Sequence, residues 1–451
     1  MLTRRQLLGH MLGAGIALPF AGMLPEARLW GRNAGRSAAP GPAVKSGTVT
    51  ILSPEDDQFL NEVENASFQF FWEQGSPNTG MVKDRCNLRD PNVLSAASIA
   101  ATGFGLSALC IGDQRKFVPA GAALERVFAT LRFLWKKLPN HRGFFFHFAN
   151  PESGERMYDS EVSSVDTAIL LCGLISCREH FRHPGVVELA NLILNRVDWS
   201  WLAEDTSLLT HGWTPEVGFL PSRWDYYSEL MMLYLLAMGA AHNPLPANTW
   251  NAWKRLIFEY DGMRYIGSFA PLFVHQYSQA WFDFRNQRDK YANYFQNSIT
   301  ATEVHRQFCL ELSKQFPDYS EELWGITASD SQHGYVVWGG PPAMGPIDGT
   351  VVPSAAGGSL TFLPAEALRV LKTMRSKYPS SWTKYGFVNA FNPLKNWYDS
   401  DVIGIDTGII LLMAENLRTG FVWDTFMKSA EAKRGMEKAG FQKEPYLIPD
   451  R

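Results

Sequence analysis

Charged residues are scarce in this 451-residue chain, at 19% of the total, and the two signs nearly cancel to a net charge of −3. Residues 1–36 hold five Arg and one Glu, so the remainder of the chain carries a net charge of −7. A mildly acidic body lacks the basic surface that binds nucleic acid or anionic membranes. We therefore expect neither nucleic acid nor a membrane surface as a partner.

Cysteine is also rare. The five cysteines are odd in number, and their spacing fits no zinc-binding template. Cys110, Cys172 and Cys177 lie inside apolar stretches, where buried free thiols are common. A disulfide framework is therefore not indicated, although a single disulfide formed after export remains an alternative.

Several catalytic signatures are missing from the sequence. It contains no P-loop, no HExxH zinc motif and no GxSxG nucleophile elbow. The glycines of "GFGLSALCIG" lie inside a helical pattern and follow no strand, which argues against a dinucleotide site. His275, His305 and His333 have acidic neighbours but not the spacing of metal ligands. We therefore expect neither a metal nor a cofactor.

An unbroken apolar run of membrane-spanning length is missing too. The apolar stretch from Leu7 to Leu24 is interrupted by His10, four glycines and Pro19, whereas a spanning helix needs about twenty apolar residues. Its length suits the hydrophobic region of a secretory signal. The two arginines of "TRRQLLG" resemble those of a twin-arginine signal, which exports folded proteins.

The N-terminal pattern predicts the domain organisation. We expect a signal peptide and flexible linker at 1–46, followed by one large domain at 47–451, because no second Gly-, Pro- and Ser-rich linker occurs. Cleavage after Ala21 or near Ala38–Ala39 would release a periplasmic or secreted protein without stable membrane insertion. An uncleaved membrane anchor is the alternative.

Strand signals are sparse, and one helical pattern recurs instead. A polar or acidic start is followed by a run that is apolar on all sides, which is typical of a helix buried on all sides. The clear examples are 94–112, 161–181, 225–241 and 399–417, and weaker ones are 297–312 and 354–371. Their starts are about 50–70 residues apart, as in an internal repeat.

Amphipathic helices alternate with these apolar ones. Residues 122–138 and 184–202 place charged and apolar side chains at helical period, as helices on an outer layer do. Alternation of six buried and six amphipathic helices predicts an all-α fold, the (α/α)6 toroid. A helical solenoid is the alternative, although both of its helix sets would be amphipathic.

Acidic residues recur at the starts of the predicted buried helices. Each one alone is explained by capping and by the helix dipole, which favour acids in a first turn. If the buried helices of a toroid run in one direction, however, these acids converge at one rim. The residues concerned are Glu161, Asp166, Asp225, Glu229, Asp401 and Asp406.

Four long connecting segments are rich in side chains that connections do not require. They span 212–229, 271–289, 323–359 and 385–408, and the chain as a whole is 13% aromatic with fifteen Trp. Because rings stack on sugar faces and polar groups bind hydroxyls, we predict a carbohydrate ligand and a glycosidic bond cleaved by paired carboxylates. The binding candidates are Trp224, Asp225, Tyr227, His275, Gln276, Trp281, Asp283, Arg285, Trp338 and Trp397.

Longer motifs in the chain resemble a known family. The motifs "EVSSVDTAILLCG", "WDYYSELMMLYLLAMGA", "DGTVVPSAAGGSLTF" and "IGIDTGIILLMAENLRTG" are similar to the bacterial glycoamylase-like domain. The resemblance runs from about Phe70 to Arg418. This group includes glycoside hydrolase family 144, the β-1,2-glucanases, and the related domain of cyclic β-1,2-glucan synthases. The resemblance implies an (α/α)6 fold and cleavage of β-1,2-linked glucan with inversion at the anomeric carbon.

The resemblance also implies roles for individual residues. Glu229 in "WDYYSE" matches the general acid, and Asp406 in "GIDTG" matches the general base. The chain departs from the family at Asn389 in "NAFN", where the family usually has Asp, so the local charge and the substrate choice could differ. The positions that match other acids of the family's pocket are Asp84, Glu161 and Asp166.

The sequence therefore predicts an exported glycoside hydrolase that acts on β-1,2-glucan as a monomer. The alternatives are a toroidal enzyme on another glucan or polysaccharide, including a lyase, and a non-catalytic glucan-binding protein. Retention of Glu161, Asp166, Glu229 and Asp406 together disfavours a loss of catalysis. Endo and exo cleavage both stay open, because the choice depends on whether loops such as 323–359 close one end of the cleft.

Overall fold

α-Helices supply most of the regular structure. The computed structural model describes residues 52–90, 93–268, 271–341 and 345–444, so the predicted signal and linker at 1–46 lie outside the described residues. The α-helices of the described part are α1 (Pro54–Glu73), α2 (Ile99–Arg115), α3 (Ala122–Lys136), α4 (Ser164–Phe181), α5 (Pro184–Arg196), α6 (Trp199–Ala203), α7 (Leu230–Gly239), α8 (Tyr277–Trp281), α9 (Tyr294–Leu312), α10 (Pro353–Gly357), α11 (Pro364–Lys377), α12 (Gly404–Arg418), α13 (Phe421–Phe426) and α14 (Ala430–Lys438). Short 3₁₀ helices span Ala247–Asn251, Leu272–His275 and Pro379–Ser381.

The strands are short and pair in small antiparallel ladders. They are β1 (Arg85–Asn87), β2 (Ala97–Ser98), β3 (Asn140–His141), β4 (Phe144–Phe145), β5 (Phe148–Ala149), β6 (Val162–Ser163), β7 (Gly212–Thr214), β8 (Gly218–Phe219), β9 (Leu256–Tyr260), β10 (Met263–Gly267), β11 (Gln287–Arg288), β12 (Ser329–Ser331), β13 (Gly334–Val336), β14 (Trp382–Thr383), β15 (Gly386–Phe387), β16 (Phe391–Asn392), β17 (Trp397–Tyr398), β18 (Asp401–Ile403) and β19 (Gln442–Lys443). Most of these strands have two or three residues, too few to form an alternating pattern, which explains why strand signals are sparse in the sequence.

Helices α2, α4, α7 and α12 form the buried layer. Every residue of α7 is buried, and so are Ile99–Gly112 of α2 and Ser164–Arg178 of α4. In α12, Asp406–Asn416 are buried as well, so buried helices are confirmed within the four clear runs, although each helix begins later than predicted. Among the described residues, we find no helix with the combination of length and apolarity needed to cross a membrane.

The two weaker predictions of buried helices are confirmed only in part. Residues 297–312 lie in α9, which keeps a less buried polar side where Arg306 pairs with Glu303 at 2.7 Å. Residues 354–371 are divided between two helices. The buried α10 ends at Gly357, and α11 begins at Pro364, because a proline ring is accommodated at the first position of a helix but not in its interior.

The predicted amphipathic helices are confirmed as an outer layer. Residues 122–138 correspond to α3, which buries Val127, Leu131 and Leu134 at a spacing of three to four residues. Residues 184–202 correspond to α5 and the short α6, which are separated after Arg196. Helix α3 packs on α2 and α5, and α5 packs on α4.

Glycine lets α2 and α4 approach until their backbones touch. A Cβ atom added at Gly173 would lie 2.0 Å from the carbonyl oxygen of Gly103, so a side chain at either position would separate the helices. Further along the same interface, the Sγ atoms of Cys110 and Cys177 lie 3.6 Å apart as free thiols. Close contact of this kind fixes the position of α2 relative to α4 along the helix axes.

Short strands bring the starts of the buried helices together at one end of the molecule. Strand β18, which leads into α12, pairs with β1, and Lys83 bridges to Ala97 at the start of α2. Strand β2 pairs with β5, and Phe146 bridges to Val162 at the start of α4. Trp224, upstream of α7, donates a hydrogen bond to Ser164 of α4. We call the end formed by the starts of α2, α4, α7 and α12 the rim.

Ion pairs join the other ends of the same helices. Arg115, the last residue of α2, pairs with Glu415 near the end of α12 at 2.7 Å. Arg178 near the end of α4 pairs with Glu431 at 2.6 Å, and Glu431 belongs to α14, which packs on α7. We call this the far end. The four buried helices therefore run in the same direction, which is the condition for convergence of their first-turn acids.

Candidate active site

Asp406 lies in the first turn of α12 at the rim, and only 4% of its surface is exposed. Its Oδ1 accepts a hydrogen bond from Ser354 Oγ at 3.0 Å, and its Oδ2 accepts one from Asn389 Nδ2 at 2.8 Å. Neutral donors and the positive end of the helix dipole both favour the ionised carboxylate. Such a group is suited to take a proton from water.

Arg85 of β1 gathers three carboxylates close to this point. Its Nη1 lies 2.6 Å from Asp330 Oδ2 and 3.2 Å from Asp401 Oδ2, and its Nε lies 3.2 Å from Asp84 Oδ2. Burial lowers the pKa of Arg85, but the three carboxylates outweigh burial and raise that pKa overall. The guanidinium therefore stays charged and holds the acids of three chain segments together.

Two carboxyl groups beside Arg85 have raised pKa values. Burial, followed by the charge of Asp330, raises the pKa of Asp399 to about 8. Asp399 Oδ1 accepts a hydrogen bond from the Asp401 N–H at 3.1 Å, whereas its buried Oδ2 has no hydrogen-bond partner among the described residues. Burial also raises the pKa of Asp330, against the opposing effect of Arg85. This part of the rim thus holds more buried carboxyl groups than the Arg85 guanidinium balances.

A second group of acids surrounds His147. The Nδ1 atom of His147 lies 3.2 Å from Glu161 Oε1, and its Nε2 atom lies 3.6 Å from Asp166 Oδ2. Asp166 also accepts a hydrogen bond from Ser163 Oγ at 2.7 Å. Ligand atoms of the three residues lie within 4.8 Å of one another. Glu161 lies within hydrogen-bond distance of one ring nitrogen, whereas Asp166 lies just beyond that distance from the other, so the imidazole stands between the two carboxylates.

Glu229 directly precedes α7 as its N-cap residue and is buried, with 7% of its surface exposed. Ser278 Oγ donates a hydrogen bond to the Glu229 carbonyl at 2.9 Å, which fixes the start of α7 against α8. Upstream, Trp224 Nε1 donates to Ser164 Oγ at 2.8 Å, and the Trp224 ring stacks on His211 with centroids 4.1 Å apart. Glu229 is therefore held at the rim by contacts with two neighbouring helices.

Tyr227 and His275 support this segment from inside the protein. The Tyr227 hydroxyl lies 3.1 Å from His275 Nδ1, and both residues are buried. Burial, followed by the charge of His305, lowers the pKa of His275 to about 3, and burial raises the pKa of Tyr227 to about 12. Both side chains are therefore neutral. Asp225 is more open, and its carboxylate lies 3.9 Å from Lys254 Nζ.

The structure places the predicted binding residues Gln276 and Trp281 in the interior. Both are fully buried. Gln276 Nε2 donates to the Ala355 carbonyl at 3.0 Å and to a hydroxyl of the same segment, while Trp281 Nε1 donates to Ser107 Oγ, midway along α2, at 2.9 Å. The segment 271–289 reads as a connection in the sequence, but it contains a 3₁₀ helix and α8, which turn these side chains inward.

Asp283 and Arg285 lie away from the rim acids. They pair with each other at 2.9 Å, and the Arg285 guanidinium lies 4.1 Å from the ring centroid of Trp423. Trp423 follows α12, whose 15 residues make a helix about 20 Å long. That length separates Trp423 from Asp406, so the structure puts this predicted binding pair at the far end.

Two predicted tryptophans lie in or next to short hairpins at the rim. Trp338 follows the β12–β13 hairpin, is buried, and donates from Nε1 to Ser329 Oγ at 2.8 Å, next to Asp330. Trp397 is half-buried and pairs with Asn392 in the β16–β17 hairpin. Of these two rings, Trp397 presents the greater surface to a ligand.

Sequence reasoning did not assign a role to Arg85, His147 or Asp399. Arg85 stands in the quoted motif "VKDR", but its importance follows from three distant carboxylates that only the fold brings to it. His147 is a lone polar residue within the aromatic run "FFFHFAN", which is the one signal that could have drawn attention to it. Asp399 belongs to a connection rich in acids, where no pattern distinguishes it from its neighbours.

A comparison with protein families supports the resemblance stated above. Residues 221–430 match the family model Glycoamylase, described as "Putative glucoamylase". The matched region contains both Glu229 and Asp406. The resemblance to the glycoamylase-like domain family is therefore confirmed.

One curated relative is the exo β-1,2-glucooligosaccharide sophorohydrolase (non-reducing end) of Parabacteroides distasonis. It is 27% identical over 432 residues, which cover 87% of this chain and 59% of the relative. This chain therefore spans about three fifths of the length of that relative.

Solved structures give a similar result. An endo-β-1,2-glucanase from Chitinophaga pinensis, in complex with sophorotriose and glucose, has a TM-score of 0.81 and 27% identity, covering 88% of this chain and 100% of that one. A β-1,2-glucanase from Parabacteroides distasonis has a TM-score of 0.79 and 25% identity, covering 85% and 60%. An endo-β-1,2-glucanase from Talaromyces funiculosus shares only the fold, at a TM-score of 0.58 and 13% identity, over 84% and 89% of the chains.

Proposed function

We propose that this protein is a glycoside hydrolase that cleaves β-1,2-linked glucan. The observation that carries the proposal is the match over the full length of an endo-β-1,2-glucanase solved with sophorotriose and glucose. The rim supports it independently, since buried acids from separate helices lie there together with the half-buried ring of Trp397. A pair of carboxyl groups on opposite sides of a glycosidic bond is the chemical requirement for its hydrolysis.

In the proposed mechanism Glu229 is the general acid and Asp406 the general base. Glu229 gives its proton to the glycosidic oxygen, directly or through a sugar hydroxyl, as the bond to the anomeric carbon breaks. Asp406 takes a proton from a water molecule, whose oxygen forms the new bond from the opposite face and inverts the configuration. The hydrogen bonds from Ser354 and Asn389 suit Asp406 to this role because they stabilise its ionised form.

We further propose that the helices close into the (α/α)6 toroid. Support comes from a closed series of contacts: α2 with α4, α4 with α7, α7 with α8, and α12 with α10, α8 and α2. The remaining pair of neighbours is α8 and α10, and it is joined by the hydrogen bond from Gln276, just before α8, to Ala355 of α10. Helices α1, α3, α5, α9, α11 and α14 then form the outer layer.

We also propose that the protein is exported through its twin-arginine-like N-terminus and works as a monomer in the periplasm or outside the cell. The support is the pair Arg4–Arg5 followed by an apolar stretch. Replacing both arginines with lysine should retain the protein in the cytoplasm in a fractionation experiment. Unchanged export of that variant would remove the twin-arginine proposal without touching the enzymatic one.

The activity is tested by incubating residues 40–451 with linear β-1,2-glucan, while β-1,3-, β-1,4- and α-1,4-glucans serve as controls. We expect short β-1,2-linked products that are released as α-anomers. NMR during the first turnovers would identify the anomer before it equilibrates. A range of chain lengths would indicate endo cleavage, and disaccharide alone would indicate exo cleavage. Release from another glucan only, or a product with the ultraviolet absorbance of an unsaturated sugar, would overturn the proposal.

Two variants test the assigned roles. Glu229→Gln and Asp406→Asn should each lower kcat by about a thousandfold or more, because each removes one of the two proton-transfer groups. The thermal unfolding midpoint should change little, since both substitutions keep the shape of the side chain. Near-normal turnover by either variant would remove that residue from its role.

A further inference from the structure

We propose that Asn389 is a positioning residue for Asp406, an inference that rests on the proposed role of Asp406 as the base. Asn389 Nδ2 donates to Asp406 Oδ2 at 2.8 Å, and Asn389 Oδ1 accepts from the backbone N–H of Asp330 at 2.7 Å. Only 2% of Asn389 is exposed. Its amide thus fixes the Asp406 carboxylate relative to the β12–β13 hairpin across the rim.

The chemistry of an amide explains why Asn suits this position. An amide offers a donor and an acceptor at every pH, so it satisfies the Asp330 N–H and the Asp406 carboxylate at once. A carboxyl group at position 389 could still accept from Asp330, but it would face Asp406 as a second acid. Two carboxyl groups at hydrogen-bond distance share one proton, and one of the pair then titrates at higher pH.

The surroundings make a further carboxylate at position 389 costly. Arg85 already faces three acids, and burial together with Asp330 raises the pKa of Asp399 to about 8. Gly404, two residues before Asp406, donates its N–H to the Asp84 carbonyl, and Asn389 bonds to both Asp330 and Asp406, so two of these acids lie on segments that adjoin Asp406. The charged and titratable groups on the segments that adjoin the start of α12 are Lys83, Asp84, Arg85, Cys86, Asp399 and Asp401, with Asp330 reached through Asn389 and Tyr277 on α8, which packs on α12.

The backbone around Asn389 is fixed independently of its side chain. The Asn389 N–H donates to the Asp401 carbonyl at 2.9 Å, and the next residue, Ala390, accepts from the Asp399 N–H at 3.0 Å. A substitution at position 389 should therefore alter the contact with Asp406 without displacing the segment. This separation makes the contribution of the side chain measurable.

The main test is the pH dependence of kcat on β-1,2-glucan for wild type and Asn389→Asp. We expect the midpoint of the acidic limb to rise by about one to two pH units, because the new carboxyl group shares its proton with Asp406. The matched control is Asn87→Asp. Asn87 also donates from its amide to a carboxylate of this cluster, Asp401, at 2.7 Å, and the same Nδ2 donates to Ser400 Oγ at 2.9 Å. Its acidic limb should move by less than half as much.

A second variant keeps the inference testable if Asn389→Asp does not fold. Asn389→Ala should lower kcat about 10- to 100-fold with KM within about threefold of wild type, because Asp406 loses its orientation while the substrate contacts remain. A superimposable pH profile for Asn389→Asp, or an unchanged kcat for Asn389→Ala, would overturn the inference. If either of these two results is found while the wild type is active and Asp406→Asn is inactive, only the role of Asn389 is overturned. The proposed function is then unaffected.

Discussion

Helix α12 carries a buried acid near each end, and the two acids have different partners. At the rim, Asp406 accepts hydrogen bonds from Ser354 and Asn389, which are neutral donors. At the far end, Glu415 accepts from the Arg115 guanidinium at 2.7 Å. Glu64, which is fully buried, lies beside the same guanidinium and also bonds to Arg418.

The helix dipole accounts for this difference. Its positive end lies at the start of α12 and stabilises a carboxylate there, while its negative end opposes one near Glu415. Burial and the nearby Glu415 raise the pKa of Glu64, against the influence of Arg418 and Arg115. Acids at the far end therefore need guanidinium partners, whereas the helix dipole itself favours a carboxylate at the position of Asp406. The partners of a buried acid, more than its burial, distinguish a structural role from a catalytic one.

The largest effect is expected from removing a guanidinium at the far end, which tests whether the acids there have a structural role. Arg418→Met leaves Glu64 with weaker compensation, and we expect a loss of about 3 kcal/mol in the free energy of unfolding. The matched control is the double variant Arg418→Met/Glu64→Met, which should recover most of that loss, because an apolar pair replaces the charged one. Urea unfolding measures both, and kcat/KM of the folded protein should stay within about threefold of wild type. A stable single variant with lost activity would contradict the division between the two ends.

The complementary change is made at the rim. Asp166→Asn keeps the shape of the side chain but weakens its interaction with His147, so we expect a 10- to 100-fold loss in kcat/KM on β-1,2-glucan. The thermal unfolding midpoint should move by no more than about 2 °C, since no guanidinium is left unpaired. If the variant lost much stability while its folded fraction kept normal activity, Asp166 would have a structural role like that of Glu64.

Stability should also depend on pH through Asp399. Because its pKa is about 8 in the folded protein and near 4 when unfolded, the folded state holds one more proton between these values. The free energy of unfolding should therefore fall as pH rises from about 4 to 8. Asp399→Asn mimics the protonated group, and we expect it to be about 1–2 kcal/mol more stable than wild type at pH 8 and similar at pH 4. Parallel pH curves for the two proteins would show that Asp399 does not contribute.

The helical framework was predictable because its signals are local. The runs that became α2, α4, α7 and α12 are apolar on all sides, and the acids at their starts follow from capping and the dipole. The convergence of Glu229, Asp166 and Asp406 needed only the assumption that the helices run in one direction. The division of 354–371 at Pro364 was also visible in the sequence, but the apolar pattern outweighed the proline in the prediction.

The parts that could not be predicted depend on distant pairings. The bond between Asn389 and Asp406, and the gathering of Asp330 and Asp401 by Arg85, arise from two- and three-residue strands that leave no periodic pattern. Gln276 and Trp281 have the composition of a sugar site, yet the short α8 turns them toward buried partners. Composition identified residue types that suit a sugar, but only the fold determines which of them reach the rim.

The smallest expected effect concerns the pair Asp283 and Arg285. Arg285→Ala removes the ion pair with Asp283 and the contact with Trp423, both about a helix length from Asp406. We expect kcat/KM on β-1,2-glucan to stay within twofold of wild type and the stability loss to stay within about 1 kcal/mol, as for other exposed pairs. Trp397→Ala is the matched comparison at the rim, where loss of a half-buried ring should raise KM. A rise in KM for Arg285→Ala of the same size would mean that the glucan also contacts the far end, and the contrast between the two ends would fail.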